Sequence, residues 1–480
     1  MVDQPYTLVA VGTGFATTFF LHGVLQHIGP NARILVLERG PHIDHADQIA
    51  ARPDRPLDGA ATIDLGGADA KPWKFSLGMG GGSNCWWGCT PRMLPADFEM
   101  QSRYGMGDDW PISYETLAPY YTQTEAIMAI SGPARPPYPM SQPLPDAARA
   151  VSDPDRALQA AYGNLYVPQS TARSRNGTAN RSACCASAMC SLCPIDAKFT
   201  VLNEMYPVYD DPRVTLLTQA EVLRVETAGN IATGVVYRHN GVETLAKGET
   251  VALGANAIFN AFILLKSGFD DSALGRYLHE QAGIEAFIDL DGMRGFQGST
   301  VITGQGYMFY DGPHRRERAA AMLEGWNRTK PRLVHGRWAE TTRMKLIFED
   351  LPLRENRIAI SKDNPDRPVA ITERRSDYMR RSLDRAEDMF GELFAHLPVE
   401  GYTLRQTTDE GHIMGTARMG TDPATSVVDQ NLIHHGVRNL WVLGGSSFVT
   451  GAPANPTLTL SALSLRAADQ MFGKTAGDTL

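Results

Sequence analysis

The stretch YTLVAVGTGFATTFFLHGVLQHIGPNARILVLERG, residues 6–40, decides the fold. Its first six residues are mostly apolar, as a strand buried on both faces should be. A glycine turn and a helical pattern follow, and ARILVLERG (32–40) has the composition of a second strand. The order strand, helix, strand predicts a βαβ unit. It also accounts for the long apolar run within the stretch without a membrane span.

The glycine turn of this unit has the pattern of a dinucleotide-binding site. Gly12 permits a tight turn, and Gly14 lets the backbone approach a pyrophosphate at the N-terminus of the helix. Glu38, at the end of the second strand, is placed to accept hydrogen bonds from ribose hydroxyls. The third glycine of the fingerprint is replaced by Thr17, so the motif alone also fits a plain tight turn.

The rest of the chain predicts a sheet that is completed late. NLWVLGG (439–445) and TLTLSALSLRAADQM (457–471) again read as strand and helix. Residues 214–256 predict a three-stranded antiparallel meander that returns to a buried strand, and residues 374–397 predict one amphipathic helix. A chain that leaves a nucleotide-binding sheet and returns at its end is typical of an interrupted FAD domain rather than an NAD domain.

We therefore predict an α/β fold, α+β overall, in which a Rossmann-like FAD-binding domain is interleaved with an antiparallel-sheet substrate domain. The FAD-binding domain is expected to comprise residues 1–100, 181–285 and 405–480. Residues 101–180 are expected to form an excursion or lid that leads to a cysteine cluster. Residues 286–404 are expected to bind the substrate.

Composition narrows the range of partners. The 480 residues carry a formal net charge of −8 without a basic stripe, so a nucleic acid partner is not expected. No segment has the uniform apolarity of a membrane span, and no secretory signal is evident. The sequence therefore predicts a cytoplasmic protein, with export alongside a partner subunit left open.

Several separated motifs resemble those of the glucose–methanol–choline (GMC) flavoprotein oxidoreductases. The resemblance is closest to pyranose oxidases and to the catalytic subunits of bacterial FAD-dependent sugar dehydrogenases. The motifs are GGGSN (80–84), VALGANAIFNAFILLKSG (251–268), LGRYLHEQ (274–281) and, within residues 411–471, His412-x-x-Gly415-Thr416, Met419-Gly420, Asn439-Leu440-Trp441-Val442 and Asn455-Pro456-Thr457.

The resemblance implies FAD-dependent oxidation of a CH–OH group of a sugar or glycoside to the carbonyl. Hydride passes to flavin N5, with His412 as the base and Asn455 as its partner. The FAD contacts that it implies are Gly12, Gly14, Phe15, Glu38, Arg39, Gly81, Gly82, Ser83, Asn84, Cys85, Val222, Gly444, Gly445, Pro456 and Thr457. Two alternatives stay open: an oxidase or dehydrogenase of a hydrophobic alcohol (aryl or sterol-like), and a metal-binding partner module without catalysis.

The six cysteines fall into two clusters, which favours metal or reactive thiols over disulfides in a cytosolic chain. The spacing of Cys184, Cys185 and Cys190 resembles [3Fe–4S] ligation in the sugar dehydrogenase subunits, and Cys193 is a further candidate ligand. Buried free thiols, a disulfide and zinc are the alternatives. With a cluster, electrons would leave through it to a redox partner subunit. Without one, O2 or a quinone-like acceptor would take them at the flavin.

The loop GGGSNCWWGCTPR (80–92) resembles the pyranose-oxidase loop whose histidine carries FAD covalently. Cys85 stands at the position of that histidine. The resemblance implies a thiol beside the dimethylbenzene edge of the flavin, either bonded to FAD as a thioether or packed as an apolar filler. A disulfide between Cys85 and Cys89 is the third alternative.

Overall fold

A computed structural model describes residues 4–51, 57–297, 299–328 and 331–474. The helices in these ranges are α1 (Phe15–His27), α2 (His45–Ala50), α3 (Met100–Tyr104), α4 (Tyr114–Ile127), α5 (Asp153–Tyr162), α6 (Asn256–Lys266), α7 (Asp377–Leu383), α8 (Ala386–Phe394) and α9 (Thr457–Met471). The strands are β1 (Leu8–Val11), β2 (Ile34–Leu37), β3 (Asp64–Gly66), β4 (Ser131–Gly132), β5 (Asp146–Ala147), β6 (Tyr166–Pro168), β7 (Val214–Leu217), β8 (Ala220–Ala228), β9 (Ile231–His239), β10 (Val242–Lys247), β11 (Val251–Leu253), β12 (Ala282–Leu290), β13 (Ile302–Gly306), β14 (Ala321–Trp326), β15 (Thr341–Phe348), β16 (Arg357–Ile360), β17 (Pro368–Ile371), β18 (Val399–Gln406) and β19 (Leu440–Val442).

The first layer is a parallel sheet with the strand order β19-β11-β1-β2-β7. Every residue of β1, β2, β11 and β19 is buried, as expected for short apolar strands that are covered on both faces. The outer strand β19 lies near the end of the chain, so the sheet is indeed completed late. The predicted α/β architecture is confirmed.

Helices α1 and α9 pack closely against each other. A Cβ atom at Gly23 of α1 would lie 2.7 Å from the Cβ of Ala468 in α9, so glycine is what permits this approach. Both helices contribute apolar side chains, among them Phe19 and Leu463, to the largest core cluster. The bounds of α9 agree with the helical pattern of the sequence, and this helix is fixed with its N-terminus at the carboxyl edge of the sheet.

The second layer is a six-stranded antiparallel sheet with the order β18-β12-β15-β14-β13-β6. Its strands have a period of two. Along β15, Met344 and Leu346 enter a second core cluster shared with α7 and α8, whereas Arg343 and Lys345 line a large cavity on the other face. Smaller sheets, β16-β17-β3 and β4-β5, complete the fold.

Residues 214–256 form the predicted meander as β8, β9 and β10, followed by buried β11. Residues 214–217 differ, because they join the parallel sheet beside β2 as β7. The helix predicted over 374–397 is interrupted, and α7 and α8 are separated by a tight turn in which Arg385 N donates to Ser382 O. The apolar period continues through the turn, so the pattern did not reveal it. Among the described helices, none combines the length and apolarity needed to cross a bilayer.

Candidate active site

A cavity of about 1140 Å³ lies between the carboxyl edge of the parallel sheet and the six-stranded sheet. The carboxyl ends of β1, β2, β11 and β19 all open into it, which is where open α/β sheets bind ligands. Ser83 and the cysteines at 184, 185, 190 and 193 are outside its lining. The predicted site residues that line it are Gly12, Gly14, Phe15, Glu38, Arg39, Gly81, Gly82, Asn84, Cys85, Val222, His412, Gly444, Gly445, Asn455, Pro456 and Thr457.

The turn between β1 and α1 leaves room beside the cavity. Gly12 has a φ of +85°, and a Cβ there would lie 2.7 Å from Gly254 O, so only glycine fits the turn. Gly14 starts the helix, and a Cβ there would meet nothing within 4 Å. The bare backbone of Gly14 therefore faces open cavity at the N-terminus of a 13-residue helix, which is suited to a phosphate group.

The neighbouring strand β11 explains why Thr17 can stand at the third glycine position of the dinucleotide-binding fingerprint. Thr17 Oγ1 donates to Val11 O at 3.1 Å. A Cβ at Gly254 would overlap Thr17 Oγ1. The close approach of helix and strand is thus kept, but the glycine that allows it has moved from α1 to the end of β11.

Glu38 is buried at the end of β2 and holds the turn in place. Its carboxylate accepts hydrogen bonds from Thr13 N at 3.0 Å, from Thr13 Oγ1 at 2.7 Å and from Gly40 N at 2.8 Å. Burial raises the pKa of Glu38, and these hydrogen bonds oppose the rise. Thr13 Oγ1 also accepts from Gly80 N at 3.1 Å. Hydrogen bonds through Thr13 therefore connect the β1–α1 turn to Glu38 and to the loop 80–84.

His412 is held in one tautomer by Gln281. The Gln281 amide nitrogen donates to Ala452 O at 2.7 Å and to Ala454 O at 3.0 Å, so its oxygen is the atom that faces His412. That oxygen lies 2.5 Å from His412 Nδ1. Because an amide oxygen only accepts, Nδ1 carries the proton and Nε2 is left with a free lone pair.

Burial lowers the pKa of His412 to about 3, and the positive charge of Lys345 adds to this effect while Asp409 opposes it. The imidazole is therefore neutral at neutral pH. Its backbone is also fixed, since His412 N donates to Glu280 Oε1 at 2.9 Å. A neutral, oriented imidazole with an exposed lone pair is the form that accepts a proton.

Asn455 lies on the other side of this lone pair, just before α9. Its Nδ2 is 3.5 Å from His412 Nε2, and its Oδ1 is buried without a partner. The contact between the two side chains is long, and a ligand hydroxyl oxygen in the cavity beside this pair can reach both nitrogens. His412 and Asn455, predicted from separate motifs, are thus brought together in the cavity.

Comparisons with known proteins agree with this geometry. The C-terminal model of the GMC oxidoreductase family matches residues 352–464. The chain is 26% identical to the fructose dehydrogenase large subunit of Gluconobacter japonicus, over 97% of each chain. It is 28% identical to the 6'''-hydroxyparomomycin C oxidase of Streptomyces lividus, over 85% of this chain and 80% of that protein. The crystal structure of pyridoxine 4-oxidase from Mesorbium loti superposes with a TM-score of 0.70 at 19% identity, covering 97% of this chain and 99% of the other.

The chain thus carries the C-terminal domain of the GMC oxidoreductases, at residues 352–464. It is a flavoprotein oxidoreductase, and FAD is the cofactor for which the cavity is fitted. The fit rests on the bare backbone at Gly14 and on the N-terminus of α9 at Thr457, which both face the cavity. Near Val222 a β-bulge interrupts the ladder between β8 and β9, which frees backbone polar groups for a ligand. The backbone of Gly14 suits the pyrophosphate, the N-terminus of α9 suits the flavin, and the bulge near Val222 suits the adenine.

The cavity wall that lies opposite the parallel sheet is polar. Cross-strand register places five side chains in one row on the same face of the six-stranded sheet: Gln305, Glu324, Lys345, Glu285 and Arg405. The four charged members line the cavity. Their signs alternate along the row, so opposite charges face each other across neighbouring strands.

The cysteines occupy two adjoining loops and have free thiols, so the disulfide alternatives are not formed. Cys190 Sγ accepts from Val301 N at 3.4 Å, and Cys193 Sγ accepts from Ala197 N at 3.3 Å. Within residues 4–51, 57–297, 299–328 and 331–474, no group of three or more His, Cys, Asp or Glu side chains is arranged to hold a metal ion. Cys85 is exposed and Cys89 is buried.

Lys198 joins these two loops. Its fully buried ammonium group donates to Ser191 O at 2.7 Å, to Trp86 O at 2.9 Å and to Asn84 O at 3.2 Å. Burial lowers the pKa of Lys198 to about 7. The glycine loop that lines the cavity and the cysteine loop behind it are therefore fastened at one point.

The sequence reasoning missed Thr13, Gln281 and Glu324 as parts of the site. Gln281 closes the motif LGRYLHEQ, so its segment was recognised although its contact with His412 was not. Thr13 is the variable position of the glycine turn, and Glu324 lies in the part of the chain without a motif. None of these residue types signals a role until the fold shows its neighbours.

Proposed function

We propose that this enzyme oxidises a CH–OH group of a sugar or glycoside to the carbonyl. The observation that carries the proposal is the lone pair of His412 Nε2 beside Asn455, in a cavity whose opposite wall is polar. The hydroxyl proton passes to Nε2, because Gln281 keeps the only ring proton on Nδ1. When bound, FAD supplies the acceptor for the hydride that leaves the carbinol carbon.

Asn455 acts as the positioning partner. Its Nδ2 donates to the substrate oxygen and does not compete for the proton, because an amide is not a base at neutral pH. The oxygen of the same amide is buried without a partner and is available to a substrate hydroxyl. His412 and Asn455 together hold the hydroxyl oxygen and direct its hydrogen towards Nε2.

The substrate class is argued from the cavity wall and from the relatives. Polyhydroxylated molecules offer several donors and acceptors to a row of charged side chains, whereas an aryl or sterol-like alcohol offers a single hydroxyl and would leave the unpaired Glu324 Oε1 without a donor. Trp326 lines the same region and offers an aromatic face to the C–H side of a sugar ring. The relatives named as a fructose dehydrogenase and as a 6'''-hydroxyparomomycin C oxidase are consistent with this choice.

Anaerobic titration tests the proposal. The purified yellow enzyme is mixed with pyranoses, ketoses, glycosides, benzyl alcohol and a sterol, and the flavin absorbance near 450 nm is followed. We expect bleaching by at least one sugar or glycoside and none by the hydrophobic alcohols. Bleaching by benzyl alcohol or the sterol alone would replace the sugar proposal with the hydrophobic-alcohol alternative.

We also propose a division of labour within the chain. Residues 1–100, 181–285 and 405–480 hold FAD, and residues 286–404 form the substrate wall. The placement of Gly12, Gly82 and Gly444 on one side of the cavity, and of Glu324 and Lys345 on the other, supports this division. Substitutions of Gly12, Gly82 or Gly444 are expected to lower FAD content, and substitutions of Glu324 or Lys345 to change substrate affinity.

A covalent bond between Cys85 and FAD is a separate proposal. It is supported by the exposed thiol of Cys85 in the cavity lining. Forming a thioether would break one S–H and one C–H bond, make one C–S bond, and release two protons to solvent and two electrons, which the electron acceptor of turnover would take up. Acid precipitation decides between this bond and simple packing: yellow colour stays in the pellet if the bond exists, and Cys85→Ser then releases it to the supernatant.

The electron route after the flavin has two proposed forms. In one, O2 or a quinone-like acceptor takes the electrons at the flavin. In the other, Cys184, Cys185 and Cys190, with Cys193 nearby, would hold a [3Fe–4S] cluster that would supply a path for electrons to a partner subunit; the sequence spacing supports it, whereas these thiols are not grouped as metal ligands in the described residues. Iron and acid-labile sulfide assays on enzyme purified without oxygen separate the two. Three irons per chain support the cluster, and none supports the direct route.

A further inference from the structure

The charged row on the six-stranded sheet contains one carboxylate whose charge is not matched. Glu285 pairs with Arg343 and also with Arg405, the latter at 2.7 Å, and Lys345 pairs with Glu410. Glu324 has no ion pair in the described part of the chain. One of its oxygens accepts from Trp326 Nε1 at 3.0 Å.

The second oxygen of Glu324, Oε1, is buried and has no hydrogen-bond partner. The residue is 2% exposed, yet it lines the cavity. Its neighbour in the row, Gln305, is also buried with both amide atoms unpartnered. Unsatisfied buried polar atoms are rare in native proteins because such an atom gives up its hydrogen bonds to water without gaining a partner. Of these two side chains only Glu324 lines the cavity, so a ligand in the cavity can complete the hydrogen bonds of Glu324.

The location of Glu324 fits a substrate that is held at two points. Burial raises the pKa of Glu324 and lowers that of His412, and the charge of Lys345, the neighbour of Glu324 in the row, opposes the first shift and adds to the second. All three side chains line the same cavity. Glu324 lies on β14 of the substrate wall. His412 lies in the segment that connects β18 to β19, and Asn455 lies two residues before the start of α9. A molecule bound between the walls presents its reacting hydroxyl to His412 and another group to Glu324.

We propose that Glu324 is a specificity-determining residue whose Oε1 binds a second hydrogen-bond donor of the substrate, a hydroxyl or ammonium group on a carbon that does not react. This inference rests on the proposed oxidation of a sugar or glycoside. Burial raises the pKa of Glu324 to about 7, and the nearby cations only partly oppose this. A neutral hydroxyl suits both protonation states of this carboxyl, whereas an ammonium group selects the ionised one.

The test measures substrate affinity and reaction rate separately. Flavin reduction is followed by anaerobic stopped flow with D-glucose, its 2-, 3-, 4- and 6-deoxy derivatives, D-glucosamine and D-fructose, giving a Kd and a limiting rate for each. The enzymes are the wild type, Glu324→Gln and Glu324→Leu. Glu243→Leu on exposed β10 is the matched control, because Glu243 lies in the meander away from the cavity.

For the wild type, we expect one deoxy sugar to bind about 10- to 100-fold more weakly than the parent sugar, as the loss of one buried hydrogen bond predicts. Glu324→Leu should weaken the parent sugar by a similar factor and show no further loss with that deoxy sugar. Its limiting rate should change little, because His412 and Asn455 are intact. Glu324→Gln keeps an acceptor oxygen and should retain the hydroxyl preference, but it should lose any preference for D-glucosamine.

The outcomes that overturn the inference are distinct from those that overturn the proposed function. If sugars reduce the flavin and Glu324→Leu discriminates between parent and deoxy sugars as the wild type does, the specificity role is wrong and the function stands. If the limiting rate falls equally with every sugar while every Kd is unchanged, Glu324 has a structural role only. If no sugar reduces the wild-type flavin, the proposed function fails and this inference fails with it.

Discussion

Gln281 Oε1 lies 2.5 Å from His412 Nδ1, and the Gln281 amide nitrogen is committed to two backbone carbonyls. The two residues are 131 positions apart in the chain. Because the amide cannot rotate without breaking both carbonyl contacts, His412 is held with its proton on Nδ1. Gln281 is therefore a positioning residue that decides which nitrogen of His412 keeps its free lone pair.

Replacing Gln281 by leucine should lower the limiting rate of flavin reduction by about 10- to 100-fold, since the loss of one buried hydrogen bond costs about 1–3 kcal/mol. FAD content should be unchanged, because Gln281 is outside the cavity lining. Stopped-flow reduction with saturating sugar measures the rate. Gln281→Glu, which still accepts from Nδ1, should recover part of it. The same loss in the control Gln101→Leu, on exposed α3, would contradict the positioning role.

His412→Ala should reduce the limiting rate by about 10²- to 10⁴-fold, the usual contribution of a general base. Asn455→Ala should cost less, because it removes a positioning contact and leaves the base. Both variants should bind FAD, which absorbance after gel filtration checks. If His412→Ala keeps near wild-type reduction, another residue is the base.

The limiting rate should show no acid limb near the ordinary histidine pKa of about 6.5. Burial lowers the pKa of His412 to about 3, so protonation that would remove the lone pair takes place only at much lower pH. A profile measured from pH 5 to 8 at saturating sugar tests this. A tenfold fall in the limiting rate between pH 7 and 5 would contradict a pre-deprotonated base, provided that FAD stays bound.

The same lowered pKa affects stability. Between pH 3 and 6.5 the unfolded chain binds a proton at this histidine and the folded chain does not, so the free energy of unfolding should rise with pH across this window. His412→Asn should reduce the slope by up to about 1.4 kcal/mol per pH unit. Urea unfolding at a series of pH values measures it, and an unchanged slope would argue against burial of a neutral imidazole.

Gly254→Ala should destabilise the enzyme by about 1–3 kcal/mol, since the added methyl group would overlap Thr17 Oγ1 in a packed helix–strand contact. Thr17→Ala alone should cost about 1 kcal/mol for the lost hydrogen bond to Val11 O. The double variant should be more stable than Gly254→Ala alone, because the overlapping atom is gone. Urea unfolding checks the cycle, and simple additivity of the two changes would disprove the explanation.

Lys198→Met should loosen the two loops that Lys198 joins. Three buried carbonyl groups lose their common donor, and each unsatisfied group costs about 1–3 kcal/mol. We expect faster proteolysis within residues 184–193 and weaker FAD retention, measured by limited digestion with thermolysin, which can cleave before Met189 and Leu192, and by flavin release. Lys247→Met, in the meander, is the comparison. Equal proteolysis of wild type and Lys198→Met would show that the loops are held otherwise.

The parts of the fold that local patterns carry were predictable. The βαβ unit follows from apolar runs that flank a glycine turn, and α9 has the bounds that its composition predicts. Patterns that depend on a single strand or helix need no information from the rest of the chain. The interruption between α7 and α8 escaped prediction because the apolar spacing is the same on both sides of Arg385. The buried hydroxyl of Ser382 donates to Ala319 O, and this contact with a distant segment is invisible in the local pattern.

By itself, the sequence determined the βαβ unit with its glycine turn and the α/β architecture, and its resemblance to a known family named His412 and Asn455 as candidates for catalysis. The tertiary structure alone decided the tautomer of His412, the compensation of Thr17 by Gly254, and the row that contains Glu324. Each of these depends on atoms from segments far apart in the chain. Strand register and helix packing bring such atoms together, and these are set by the whole core rather than by any local pattern.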